Sequence, residues 1–207
     1  ENSPNSSLLF FDLVIRQKED LENLMQEITN SCKKYAIGIS AFVLPNNKNV
    51  VMAAKQAAEL SERRVIVIPS KTVPQGMAAL LAFNPAQSAE QNEQSMTAAL
   101  SRVKTGQVTV SVRDTTIEGI EIQKGDYMGL ADDRIIVADK DKIAVTKQLL
   151  DALIDEESEI VTILYGEDAT EVEVETIVAY LETEHDEVEV EIHNGQQPLY
   201  PFVISVE

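Results

Sequence analysis

The chain has 207 residues, 44% of them hydrophobic, with 35 acidic against 17 basic side chains and a formal net charge of −18. This composition is typical of a folded protein that buries its own core, and the acidic balance disfavours DNA or RNA as a partner. One cysteine, Cys32, and two histidines exclude a Cys/His zinc cluster, and so little cysteine is typical of a cytoplasmic protein. No apolar run reaches the roughly 18 residues of a membrane helix, and no signal peptide is expected.

The first part of the chain alternates strand-like and helix-like patterns. Apolar or β-branched runs predict strands, and amphipathic or alanine-rich runs predict helices. The predicted strands cover residues 8–15, 41–45 and 65–69, and the predicted helices cover residues 18–35, 49–61, 77–83 and 88–103.

The pattern changes after Thr105-Gly106, where short alternating runs predict an antiparallel meander. Its predicted strands are residues 107–113, 116–122, 127–130 and 134–137, followed by a helix over residues 141–154, a strand over 160–165, a helix up to residue 184, and strands over 187–193 and 199–206. We therefore predict a two-lobed α/β protein. The first lobe, residues 1–105, has a mostly parallel sheet, and the second, residues 106–207, combines the meander with an α/β part.

The net charge is concentrated in the second lobe. Residues 148–207 contain 17 acidic side chains and no lysine or arginine. These acids alternate with apolar residues at structured periods, which disfavours disorder. Two interpretations stay open: a solvated face that aids solubility, or an acidic surface that docks a basic partner.

Two loops carry the candidate ligand site, because each follows a predicted strand and precedes a helix. In parallel α/β sheets, ligands bind beyond the carboxyl ends of the strands. Helix N-termini and lysines there suit a carboxylate or a phosphate, whereas the alternative is that the same residues only cap helices and shape turns. The candidate residues are Asn46, Asn47, Lys48, Ser70, Lys71, Thr72, Gln75 and Gly76.

No catalytic or metal-binding arrangement is predicted. Ser70 lacks the Gly-x-Ser-x-Gly context of a nucleophile elbow, and Cys32 lies on a predicted helix as a packed thiol. His185 is predicted to cap a helix C-terminus, and His193 to lie at a turn. Glu167 and Asp168 most simply complement the dipole of the helix that follows them.

Several runs resemble the C-terminal region of bacterial fatty acid kinase, the large subunit whose ATP-binding domain is similar to that of dihydroxyacetone kinases. The similar runs cover about residues 42–207, whereas residues 1–41 lack the Gly-Gly-Gln-Thr segment usual in that family. They are LPNNKN at 44–49, VIPSKTVPQG at 67–76, VKTGQV at 103–108, VRDT at 112–115, KGDY at 124–127, LYGEDAT at 164–170 and GQQPLYP at 195–201.

The resemblance implies a fold similar to the DegV-like proteins, which include the acyl-binding partners of the same kinase. It also implies that this chain is not catalytic alone, and that ATP and Mg²⁺ belong to a domain outside this sequence. Its role would be to dock the acyl-binding protein or to organise the kinase, including a homodimer of the longer protein. The candidate docking residues are Glu167, Asp168, Glu171 and Glu175. The alternative is a domain that binds a fatty acid carboxylate or a phosphate in the loop crevice.

Overall fold

A computed structural model describes residues 40–61, 64–117, 119–132 and 134–207. The strand predicted over residues 8–15, the helix predicted over residues 18–35 and Cys32 lie outside these ranges. The chain divides into two compact units, residues 1–102 and residues 103–207. Gly106, which the sequence analysis treats as a boundary residue, lies inside a strand of the second unit.

The first unit pairs two parallel strands and packs helices beside them. Its elements are β1 (Ala41–Val43), α1 (Lys48–Glu59), β2 (Val65–Val67), α2 (Val73–Leu81), α3 (Ala89–Ala99) and a 3-10 turn (Leu100–Arg102). Four buried side chains form its core, namely Ile66, Ile68, Ala79 and Met96. β1 is half-buried rather than fully buried as its apolar sequence predicts.

Helix α2 begins at Val73 rather than at Met77, the start that the sequence analysis predicts. Pro74 and Gly76 suggest a loop, but Thr72 caps the helix by accepting a hydrogen bond from the Gln75 N–H at 3.3 Å. Proline is compatible with the first helical turn, because no N–H is needed there. The polar residues of this loop therefore lie at the start of α2.

A buried asparagine fixes the connection between α2 and α3. Asn92, only 2% exposed, accepts a hydrogen bond from the Asn84 N–H at 2.7 Å and donates to the Asn84 carbonyl at 2.8 Å. Ser88 and Gln91 add a reciprocal capping box at the start of α3. The chain reversal at Asn84-Pro85 is thus held by side-chain hydrogen bonds as well as by proline.

The second unit is a six-stranded sheet with two helices. Its elements are β3 (Lys104–Val110), β4 (Thr115–Ile117), β5 (Ile120–Ile122), β6 (Tyr127–Ala131), β7 (Arg134–Asp139), α4 (Lys142–Leu153), β8 (Ile160–Tyr165), α5 (Glu171–Glu184), β9 (Glu189–Asn194) and β10 (Phe202–Val206). The strand order is β7–β6–β3–β10–β8–β9, in which only β8 and β9 pair in parallel. The single strand predicted over residues 116–122 is instead the separate hairpin β4–β5, which turns at Gly119 with a φ of 87°.

Helices α4 and α5 pack against the sheet through one continuous core. Phe202, Ile204 and Val108 of the sheet contact Leu149 of α4 and Ile177 of α5 in that core, and all five side chains are fully buried. The mixed α/β class predicted from the sequence is confirmed. None of the helices in the described ranges combines the length and apolar character needed to cross a bilayer.

Lys142 joins the N-terminal ends of α4 and α5. Its ammonium lies 2.8 Å from a carboxylate oxygen of Glu173 and donates to the Asp168 carbonyl at 2.7 Å. Burial by itself raises the pKa of Glu173, but hydrogen bonds from Lys142 and Thr170 outweigh it and hold the pKa below its ordinary value. The charged form of Glu173 therefore stabilises the folded unit.

We expect Glu173→Gln to lower the free energy of unfolding by about 1 kcal/mol at neutral pH, because it removes the charge that Lys142 pairs with but keeps a capping oxygen. A lowered pKa means that this contribution is complete above the ordinary value of 4.5 and is lost as the pH falls through the folded-state value. Urea unfolding of parent and variant should therefore differ at neutral pH and converge in acid. The exposed neighbour substitution Glu175→Gln is the control, and a difference that stays constant with pH would contradict the assignment.

Candidate functional site

The two candidate ligand loops lie side by side in the first unit. β1 and β2 pair in parallel with Ala41 opposite Val65 and Val43 opposite Val67. The Ile68 N–H donates to the Val43 carbonyl at 3.0 Å, which extends the pairing beyond the strands. The loops that follow the two strands are consequently brought together, as expected for the carboxyl ends of parallel strands.

Asn46 and Ser70 join these loops through two hydrogen bonds. The Ser70 hydroxyl accepts from the Asn46 N–H at 3.1 Å and donates to the Asn46 side-chain oxygen at 2.7 Å. Ser70 is fully buried, so this hydroxyl has exchanged its water contacts for the two bonds to Asn46. We call this pair the Asn46–Ser70 clamp.

Gly76 makes room for the clamp. A Cβ at this position would lie 2.0 Å from the Asn46 side-chain oxygen, far inside van der Waals contact. Asn46 itself has a φ of 53°, a left-handed conformation that asparagine tolerates better than most residues. The glycine and the asparagine are therefore required together by one close approach between α2 and the loop after β1.

The other candidate residues are engaged at the starts of two helices. Asn47 caps α1 by accepting from the Asn49 N–H at 2.9 Å, and Thr72 caps α2. The Gln75 side-chain oxygen accepts from the Lys71 N–H at 3.0 Å. Lys48 and Lys71 are exposed. The two helix N-termini and the two lysines give the loops a positive potential, while their short polar side chains already bond to the loops themselves.

The candidate docking residues form an exposed acidic surface at the start of α5. Glu167 and Asp168 lie in the turn after β8, whereas Glu171 and Glu175 lie four residues apart on one face of the helix. The prediction that Glu167 and Asp168 begin the helix is wrong. Thr170 is the N-cap, and Glu171 and Glu173 are the acids of the first turn. We call Glu167, Asp168, Glu171 and Glu175 the acidic face.

A glycine fixes the turn that carries Glu167 and Asp168. Gly166 packs so closely against the loop after β9 that an added Cβ would lie 2.4 Å from the Gln197 carbonyl. The Gly166 N–H donates to the Pro201 carbonyl at 2.9 Å, and the Gln197 side chain donates to the Leu164 carbonyl at 2.9 Å. Two runs far apart in the sequence, residues 164–170 and 195–201, therefore form one structural unit beside the acidic face.

A shallow groove runs along α5 next to the acidic face. Its lining combines carboxylates with apolar and aromatic groups, among them Lys147, Val172, Glu175, Ala179 and Tyr180. Val172 is 70% exposed, although valine normally packs inside. The surface at α5 thus presents apolar area together with negative charge, a combination found in protein interfaces.

Sequence reasoning missed a polar cluster at the far end of this groove. Asp151 of α4 accepts a hydrogen bond from the Tyr180 hydroxyl at 2.6 Å, and its carboxylate lies 2.9 Å from a ring nitrogen of His185. The bond to Asp151 raises the pKa of Tyr180 to about 12. Lys147 lies 4.6 Å above the Tyr180 ring. His185 is the C-cap residue of α5, as predicted, but its partner Asp151 is too distant in sequence to be inferred from local patterns.

We expect Gly76→Ala to destabilise the first unit by about 1–3 kcal/mol, because the new methyl group displaces the Asn46 side chain from Ser70. Asn46→Gly in the same chain removes the obstructing side chain. The double variant should therefore lose less stability than the two single losses added together, as chemical denaturation of the four proteins measures. Strictly additive losses would show that the close approach carries no energetic coupling.

The family comparison identifies this chain by sequence. Residues 9–207 match the model of the FakA-like C-terminal family, whose members resemble the C-terminal part of a fatty acid kinase. Protein YloV of Bacillus subtilis is 55% identical over 168 residues, which cover 81% of this chain and 30% of that protein. A Staphylococcus haemolyticus protein is 43% identical over 189 residues, covering 91% of this chain and 33% of its own length. The chain therefore spans about a third of the length of these curated relatives.

Solved structures show the same fold at low sequence identity. A fatty acid binding DegV family protein of Thermus thermophilus has a TM-score of 0.58 at 13% identity, covering 92% of this chain and 76% of its own. The dihydroxyacetone kinase of C. freundii, in complex with AMP-PNP and Mg²⁺, has 0.57 at 12%, covering 88% and 41%. The fatty acid kinase B3 protein of Streptococcus pneumoniae, loaded with linoleic acid, has 0.53 at 10%, covering 88% and 83%.

The long family match and the close relative agree with the DegV-like fold of the two units. The resemblance on which the sequence analysis relied is thereby confirmed. The chain belongs to the FakA-like C-terminal family of fatty acid kinases.

Proposed function

We propose that this chain is the module of a fatty acid kinase subunit that docks the acyl-binding protein, and that it has no kinase activity by itself. The observation that carries the proposal is the exposed acidic face, which lies in a region, residues 148–207, with 17 acids and no lysine or arginine. A surface of one sign speeds and orients the encounter with a partner of opposite sign.

The partner that fits this proposal is a DegV-like protein holding a fatty acid. The Streptococcus pneumoniae B3 protein, which carries linoleic acid, is named as part of a fatty acid kinase and has the fold of this chain. We propose a basic patch on such a protein as the counterpart of the acidic face. ATP and Mg²⁺ would bind elsewhere in the longer subunit, and the complex would act in the cytoplasm.

The groove along α5 supports docking over simple solvation. A face that only aids solubility needs charges, but it does not need an exposed valine beside them. Val172, next to Glu171, gives the acidic face an apolar centre, and apolar groups enclosed by polar ones are typical of protein interfaces. Dimerisation of the longer subunit through this face is less favourable, because two acidic faces repel each other.

The alternative function, a crevice for a carboxylate or phosphate, stays a prediction. The convergence of two helix N-termini with Lys48 and Lys71 favours it. The Asn46–Ser70 clamp weighs against it, because the buried hydroxyl and the amide oxygen that would meet a ligand already bond to each other. Fatty acid and inorganic phosphate titrated against the full chain, with Lys71→Ala as the matched variant, would reveal such a site.

We expect neutralisation of the acidic face to weaken binding of a fatty-acid-loaded DegV-like partner by roughly tenfold or more. The variant combines Glu167→Gln, Asp168→Asn, Glu171→Gln and Glu175→Gln. The control removes the same number of exposed charges elsewhere, with Glu59→Gln, Glu93→Gln, Glu121→Gln and Glu156→Gln. Biolayer interferometry at low and high salt measures both affinity and its salt dependence.

Binding of the parent chain should weaken as salt rises, because solvent-exposed charges are screened. Loss of this salt dependence in the acidic-face variant, but not in the control, would locate the interface. Equal affinities of the two variants would move the interface away from the acidic face. No binding by the parent chain at any salt concentration would overturn the docking function itself.

A further inference from the structure

β9 forms one edge of the six-stranded sheet. It pairs in parallel with β8 from Glu189, opposite Ile160, to Asn194, opposite Tyr165. Within the described parts of the chain, no strand pairs with its outer side. At the opposite edge of the sheet, the β4–β5 hairpin lies against β7. β9 is therefore the edge at which a further strand can be added without moving any described element.

The backbone of β9 presents unpaired groups at regular intervals. The Glu189 N–H donates to the Glu159 carbonyl at 2.8 Å, and the Gly195 N–H donates to the Tyr165 carbonyl at 3.0 Å. Alternate residues of a strand direct their N–H and C=O to the same neighbour, so residues 189, 191, 193 and 195 face β8. Val190, Ile192 and Asn194 then direct their backbone groups outwards.

The side chains of β9 divide between two faces. Val190 and Ile192 pack against the core beneath α5, whereas Glu189, Glu191 and His193 are exposed on the other face. The side chain of Glu191 is 52% exposed, and its carboxylate lies 3.6 Å from a ring nitrogen of His193. A row of two carboxylates thus runs along the free backbone edge.

These charges decide which strand can pair there. A second copy of this chain, paired antiparallel about the middle of β9, would place Glu191 opposite Glu191, and like charges directly opposite are destabilising. A segment with cations at alternate positions would instead place each cation near a carboxylate, on the face away from the core. The edge is therefore selective by charge as well as by backbone hydrogen bonding.

We propose that the outer edge of β9 binds an extended polypeptide segment that carries lysine or arginine at every second position, which adds to the sheet as a seventh strand. Main-chain hydrogen bonds to Val190 and Ile192 supply the attachment, and Glu189 and Glu191 supply the charge selection. The inference deepens the proposed docking function, because it names a mode of recognition for a basic partner. It uses a surface separate from the four residues of the acidic face.

A peptide titration tests this proposal with the full chain. The probe is a fluorescein-labelled peptide of alternating lysine and threonine, measured by fluorescence anisotropy. Two matched peptides are N-methylated on the backbone, one at every lysine and one at every threonine. Only one of these two sets of N–H groups can face β9, so one peptide should bind at least roughly tenfold more weakly and the other should bind like the parent peptide.

Protein variants and amide exchange locate the bound peptide. Glu189→Lys with Glu191→Lys should reverse the preference towards a peptide of alternating glutamate and threonine, whereas the control pair Glu59→Lys with Glu93→Lys should not. Peptide addition should slow hydrogen exchange at the amides of Val190 and Ile192, which face outwards, more than at Glu191.

Three outcomes would overturn the proposal. They are equal binding of the two N-methylated peptides, which shows charge attraction without strand pairing, exchange protection away from β9, and no binding by any basic peptide. In the last case the glutamates of β9 serve only to prevent strand pairing between copies. Because the probe is a synthetic peptide, the result is independent of whether the chain binds a DegV-like protein.

Discussion

The second unit depends on the pairing of β10 between β3 and β8. Phe202 lies opposite Val108 on one side and opposite Tyr165 on the other, and all five residues of the strand are buried. Without β10 the sheet is two separate pieces, the β7–β6–β3 meander and the β8–β9 pair. The side chains of Phe202 and Ile204 also complete the core that holds α4 and α5. The positions of the acidic face and of the β9 edge therefore both depend on this one strand.

The two surfaces proposed for binding differ in how rigidly they are held. The turn before α5 is fixed by Gly166 against the Gln197 carbonyl, by the Thr170–Glu173 capping box and by Lys142. β9 is held by one neighbouring strand and by the packing of Val190 and Ile192. A preorganised turn suits recognition by fixed charges, whereas an edge strand with a free backbone suits an extended segment that becomes ordered on binding.

Local sequence signals predicted some elements well and others poorly. β8 and α5 lie where the sequence places them, because an apolar β-branched run and a Thr170–Glu173 capping box mark their ends. The start of α2 was missed because Pro74 and Gly76 resemble turn residues, although both fit the first turn of a helix. The proximity of the two polar loops followed from parallel strand order. The Asn46–Ser70 clamp did not, because it depends on the register of β1 against β2, and the Tyr180–Asp151 bond depends on helix packing.

The absence of lysine and arginine after Lys147 also limits the reagents that can detect this region. Residues 148–207, which hold β8, α5, β9 and β10, contain neither of these residue types. Trypsin therefore has no cleavage site within them, and amine-reactive cross-linkers have no side chain there to modify. A partner seated on α5 or β9 would leave no lysine-to-lysine cross-link to either element, however tightly it bound. Carbodiimide chemistry, which joins a carboxylate of one protein to an amine of another, is suited to these surfaces, because the acids that attract a basic partner are also the groups that it couples.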